Sequence, residues 1–146
     1  MTATTGSRRS GRAYALQLLY ARDNDTANDV ANAAGAWADM FELELDAETL
    51  AFARQLAEAA ATNAAKIDDQ IATASKNWRI ERMSRVDRNI LRLGVCELVA
   101  FPDVPVKVVI NEAVELAKRF GAAESSAFVN GVLDRIAAAV GRRPED

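Results

Sequence analysis

Three arginines, Arg8, Arg9 and Arg12, lie close together near the start of the chain. On a helix they share one side, since 8 to 12 is one turn and 9 to 12 is an i,i+3 spacing. Guanidinium groups grip phosphates through paired hydrogen bonds and stack on exposed bases. Gln17 and Tyr20 continue down the same stretch, offering an amide for base edges and an aromatic face. This mixture suits single-stranded RNA better than duplex DNA. A helix-turn-helix reader carries its base contacts on a second helix, whereas these residues lie at a terminus.

The other chemically capable residues lead away from catalysis. The chain has no histidine, the commonest general base and metal ligand. Cys96 is its one cysteine, so neither an internal disulfide nor a cysteine-rich zinc site can form. Without a histidine to activate it, Cys96 reads as a small core hydrophobe. Asp68 and Asp69 are adjacent, and helical neighbours project about 100° apart, so they read as a solvated face. Glu115 with Lys118 or Arg119 is an ordinary surface pair. Gly121-Ala-Ala-Glu lacks the lysine and second glycine of a phosphate-binding loop. The sequence therefore predicts no catalytic residue, no metal site and no cofactor.

Charge divides along the chain. The net charge is −3, yet residues 1–12 hold three arginines and no acid. The remainder sets 15 of the 18 basic side chains against all 21 acidic ones, about −6. A basic arm on an acidic body can make phosphate contacts without binding nucleic acid indiscriminately. The hydrophobic share of 50% excludes a disordered chain. No apolar run approaches membrane-spanning length and no secretory signal is read, so a cytoplasmic location is expected.

Positioning these residues falls to helices. Alanine, leucine, glutamate and arginine dominate, and no period-2 strand is convincing. A first helix is expected over 10–23 and a weaker one over 26–40. Asp46 suits an N-cap for an apolar stripe running from Leu50 to Ile71, either one helix or two broken near Thr62-Asn63. Ser84, with Asp87 three positions on, caps a helix that stops near Phe101-Pro102. Pro105 opens the next, Gly121 is placed as its C-terminal cap, and Ser125 or Ser126 caps the last. Trp78 reads as a packing anchor between two halves. The fold expected is all-α: a single domain of roughly six to eight helices joined by short loops. Residues 1–7 are a flexible N-terminus, 8–140 the helical domain and 141–146 a polar tail.

Four blocks then point to a family. Arg8-Arg-Ser-Gly-Arg-Ala-Tyr-Ala-Leu-Gln-Leu-Leu-Tyr20, the stretch from Asn77 to Leu93, the stretch from Asp103 to Gly121, and Phe128-Val-Asn-Gly-Val-Leu-Asp134 resemble the transcription antitermination factor NusB family. They keep family order over nearly the whole chain, and 23–46 is the least family-like segment. The resemblance implies an all-α fold, a single domain of about seven helices in two packed helical subdomains, and a non-catalytic protein that pairs with the ribosomal protein NusE. Together they hold the boxA element of a nascent transcript, within the RNA polymerase antitermination complex that serves ribosomal RNA operons. It maps the RNA-binding arm onto Arg8, Arg9 and Arg12. Ser10 and Gly11 stand where many members carry further charged or helix-favouring residues. It places Phe128 near RNA, where the ring either stacks a base or packs in the core with Val132, and Tyr20 and Asp87 on the NusE-facing surface. Asn111, Glu112 and Asn130 belong to the signature with an expected structural role. Self-association as a homodimer, or service as an accessory domain for ribosomal RNA modification, are the alternative readings.

Overall fold

A computed structural model describes residues 7–24, 45–76 and 78–143. Every regular element among them is helical, in agreement with the all-α expectation. The chain divides into two compact units, Met1–Ala61 and Thr62–Asp146. The helix expected over 26–40 and most of the N-terminal segment 1–7 lie outside the described residues.

The first unit contains α1 (Ser7–Asn24) and α2 (Ala47–Thr62). The start of α1 lies a turn earlier than expected, so Arg8 and Arg9 are already helical. From Gly11 to Leu19 every residue of α1 is buried. A helix enclosed on all sides has no polar face left to display. Asp46 caps α2 as its type predicts: the Thr49 N–H donates to its Oδ1 at 2.7 Å. That backbone bond, with a side-chain bond from Thr49, holds the Asp46 carboxyl below the usual carboxylate range. Asn63 interrupts the long apolar stripe, which is therefore two helices.

The second unit begins with α3 (Ala64–Ala74) and a 3₁₀ turn (Ile80–Arg82). It continues with α4 (Arg85–Ala100), α5 (Val106–Phe120) and α6 (Ser125–Ala139). The last three pack mutually, and α3 lies against α4 and α6. The stripe Ile90, Leu91, Val95 and Leu98 meets Val109, Val129, Val132 and Ile136 in a core with almost no exposed apolar surface. Arg92 donates from Nε and Nη2 to the two Asp68 carboxylate oxygens at 2.9 and 3.1 Å. Asp68 thus ties α3 to α4, where the sequence suggested only a solvated acid. Glu115 and Lys118 form the ordinary pair expected, at 3.4 Å.

The helix ends follow the sequence reading in part. Ser84 Oγ accepts the Asp87 N–H at 3.0 Å, which is the expected cap. Ser84→Ala removes it and should lower the unfolding free energy by about 1 kcal/mol. Urea midpoints would read that loss, and an unchanged midpoint would show that the cap contributes nothing. Gly121 is the C-terminal cap expected, its N–H donating to Ala117 O at 2.8 Å from an extended backbone. Ser125 sits inside the last helix and accepts the Ala122 N–H at 2.9 Å, so it closes the preceding turn rather than capping its own helix. Gly141, with φ of 79°, is the residue that needs glycine's freedom. There the Arg142 N–H donates to Ala137 O and the Gly141 N–H to Ala138 O, the paired bonds of a Schellman ending. Arg142 then donates to the carbonyls of Leu98, Pro102 and Val104 at 3.2, 3.2 and 2.9 Å. Gly141 and Arg142 are therefore a clasp on α4 and the loop that follows it, not part of a polar tail.

Candidate nucleic-acid interface

The residues singled out in the sequence fall into two groups, one in each unit. In the first unit, Arg8 and Arg9 are exposed on the opening turn of α1. The Arg8 guanidinium lies 4.1 Å from the centroid of the Phe52 ring, and that of Arg12 lies 5.7 Å away. Gly11 makes this approach possible, because a Cβ there would come within 2.7 Å of Phe52 Cδ2. The glycine that appeared to dilute the arm is thus the seat of the ring that orients it. Stacking uses a guanidinium face and leaves its in-plane N–H donors available for an anion.

Arg12 and Gln17 are corrected by the structure. Arg12 is only 6% exposed and Gln17 4%, so neither is displayed to solvent as the helical-face reading supposed. The physical reason is the enclosure of α1 on every side. Gln17 Oε1 is buried without a hydrogen-bond partner among the described residues. Tyr20 is half-buried at the edge of this enclosed stretch.

In the second unit, Phe128 and Asp87 line one cavity of about 290 Å³ with Trp78, Arg82, Met83 and Ser84. Phe128 is half-buried on the first turn of α6, so it is not sealed in the core with Val132. Trp78 is 57% exposed, which overturns its reading as a packing anchor. Its ring meets that of Phe128 edge to face, with centroids 6.5 Å apart and planes at 74°. Asp87 Oδ1 is buried beside this cavity with no hydrogen-bond partner among the described residues. The sequence reading missed Trp78 and Arg82. The available signal was an aromatic interleaved with Lys76, Arg79 and Arg82.

Cys96 is fully buried, and burial first, then the neighbouring Glu97 charge, pushes its thiol up to about 12. It is the inert core thiol expected. Asn111 and Asn130 are exposed, and among the described residues neither side chain makes the hydrogen bond expected of it. No group of three or more potential metal ligands occurs among the described residues. No described helix is long and apolar enough to cross a membrane.

The fold and these side chains define an all-helical protein that displays arginines on both of its units and an exposed aromatic on the second. The NusB family model matches residues 9–138, and the chain belongs to the NusB family. It is 50% identical to the transcription antitermination protein NusB of Myxococcus xanthus over 94% of this chain and 99% of that relative. The corresponding protein of Sorangium cellulosum is 48% identical, over 97% and 99% of the two chains. Among solved structures, T. maritima NusB is similar with a TM-score of 0.82 and 34% identity, over 94% of this chain and 93% of that one. A crystal structure of antitermination factors NusB and NusE in complex with double-stranded RNA is similar with a TM-score of 0.81 and 27% identity, over 91% and 97%.

Proposed function

We propose that this protein is a transcription antitermination factor that binds boxA-type single-stranded RNA together with the ribosomal protein NusE. It acts without catalysis or a cofactor, in the cytoplasm, within the RNA polymerase antitermination complex on ribosomal RNA operons. The carrying observation is the exposed Arg8–Arg9 pair, with Arg8 stacked on Phe52, in a chain that is otherwise acidic. The rings of Phe128 and Trp78 supply aromatic surface for bases. Arg12 acts from behind, adding positive field rather than direct contact. Gln17 supports the helix that presents the arm. Tyr20 and Asp87 face NusE, a basic protein drawn by the acidic body, which orients docking.

Arg8→Ala/Arg9→Ala should weaken binding to a boxA RNA and flatten its dependence on salt. Two lost phosphate contacts reduce the log–log slope by about 1.4 for a single strand. Fluorescence anisotropy across a salt series, with and without NusE and against scrambled and duplex RNA, measures this. Unchanged affinity and slope would refute the arm. Preference for the scrambled or duplex probe would refute single-stranded boxA recognition. A homodimer that persists against excess NusE would favour a purely structural role.

A further inference from the structure

A second cavity, of about 520 Å³, shares Trp78 and Arg82 with the aromatic one and adds Ala72, Lys76 and Arg79. Lys76, Arg79 and Arg82 are all exposed, and among the described residues none of the three forms a salt bridge. They gather on a short path, the end of α3 and the 3₁₀ turn, within a chain of net negative charge. The carboxylates nearest in the chain or cavity lining are Glu81, Asp87 and Glu124. The second cavity is lined by none of them.

An exposed tryptophan beside three cations matches a ligand that alternates anions with flat rings. Single-stranded nucleic acid has that repeat. An acidic peptide could use the cations but supplies no flat rings for the exposed Trp78. A duplex could use the cations but keeps its bases stacked on each other. Because the Trp78 and Phe128 rings stand at 74°, their faces are turned apart, and they stack separate bases rather than clasp one. We infer that single-stranded RNA seated at Phe128 continues across Trp78, which stacks a further base, and lays its phosphates against Lys76, Arg79 and Arg82. This inference rests on the RNA-binding reading above and extends its footprint beyond the arginine arm.

The test uses the full chain carrying Trp37→Phe, which leaves Trp78 as its one tryptophan. The probes are a labelled boxA-type RNA and the same RNA with a uridine extension at each end. RNA should quench Trp78 emission. Trp78→Ala should weaken binding about five- to 150-fold, the range for loss of one stacked base, while Trp78→Phe retains most of it. Arg79→Glu/Arg82→Glu should flatten the salt slope by about 1.4, most clearly on the extended probe. Unchanged Trp78 emission, with affinity and slope preserved in the charge-reversed protein, overturns this site. If Arg8→Ala/Arg9→Ala still weakens binding in that case, the arm reading stands alone. Should the parent chain bind neither RNA, both readings fall. Loss of binding to a polyglutamate probe, with RNA binding intact, would assign the cavity to an acidic protein and overturn the RNA inference.

Discussion

Cys96 in the folded protein is expected to resist thiol reagents at pH 8, reacting only through opening of the second unit. A thiol raised from 9.0 to about 12 holds its thiolate fraction roughly a thousandfold lower than an unfolded one. Full burial blocks access as well. The raised value also makes stability depend on alkali, and its sign follows from proton binding. Between pH 9 and about 12 the folded thiol keeps a proton that the unfolded thiol has lost. The contribution is therefore complete below pH 9 and is lost as pH rises toward 12. A rise from 9.0 to about 12 corresponds to about 4 kcal/mol at the limit. Burial also raises Tyr14, against the opposing charge of Arg54, so the tyrosine adds to the loss in the same direction at higher pH. Denaturant titrations at stepped pH should show a shallower alkaline fall for Cys96→Ala than for the parent chain. Equal slopes, or labelling at the rate of a free thiol, would contradict the buried placement.

Leu133→Ala should destabilise the second unit by about 2–5 kcal/mol, toward the upper part of that range. Leu133 is fully buried on α6, and it faces a residue without a side chain. A Cβ built on Gly94 of α4 would come within 2.8 and 2.9 Å of the two Leu133 methyl carbons. The leucine therefore fills the space that glycine leaves, and alanine would open a void that Gly94 cannot close. Relaxation of two hydrogen-bonded helix backbones into that void is limited. A urea titration at constant m-value would measure the cost. A loss below about 1 kcal/mol, short of the range for such truncations, would mean that α4 and α6 collapse together. RNA affinity measured well below the unfolding midpoint should change little, because fully buried Leu133 offers no surface to a ligand.

The sequence was most legible where local physics governs. Ser84 with Asp87, and Asp46 with Thr49, are caps whose side-chain chemistry acts within three residues. Apolar spacing located α4, α5 and α6, and the four family blocks pointed to the family. It was least legible where exposure depends on residues distant in the chain. The spacing of Arg12 and Gln17 on α1 gave them a polar face, but no such face exists on an enclosed helix. Trp78 was read as a packing anchor between two halves, since a single aromatic at a helix break has no periodicity to orient it. Gly11 looked like a defect in a basic arm, while a ring far along the chain makes it a seat for Phe52.

Composition and order along the chain by themselves determined a helical, histidine-free binder of the NusB family, with a basic start and an acidic remainder. Those properties are summed or local, so they survive without coordinates. Tertiary structure alone decided which arginines reach solvent, that Arg8 stacks on Phe52, and that Trp78 and Phe128 share one cavity. Exposure and ring contacts are set by segments folding back on one another, and residue spacing within a single segment carries no record of that return.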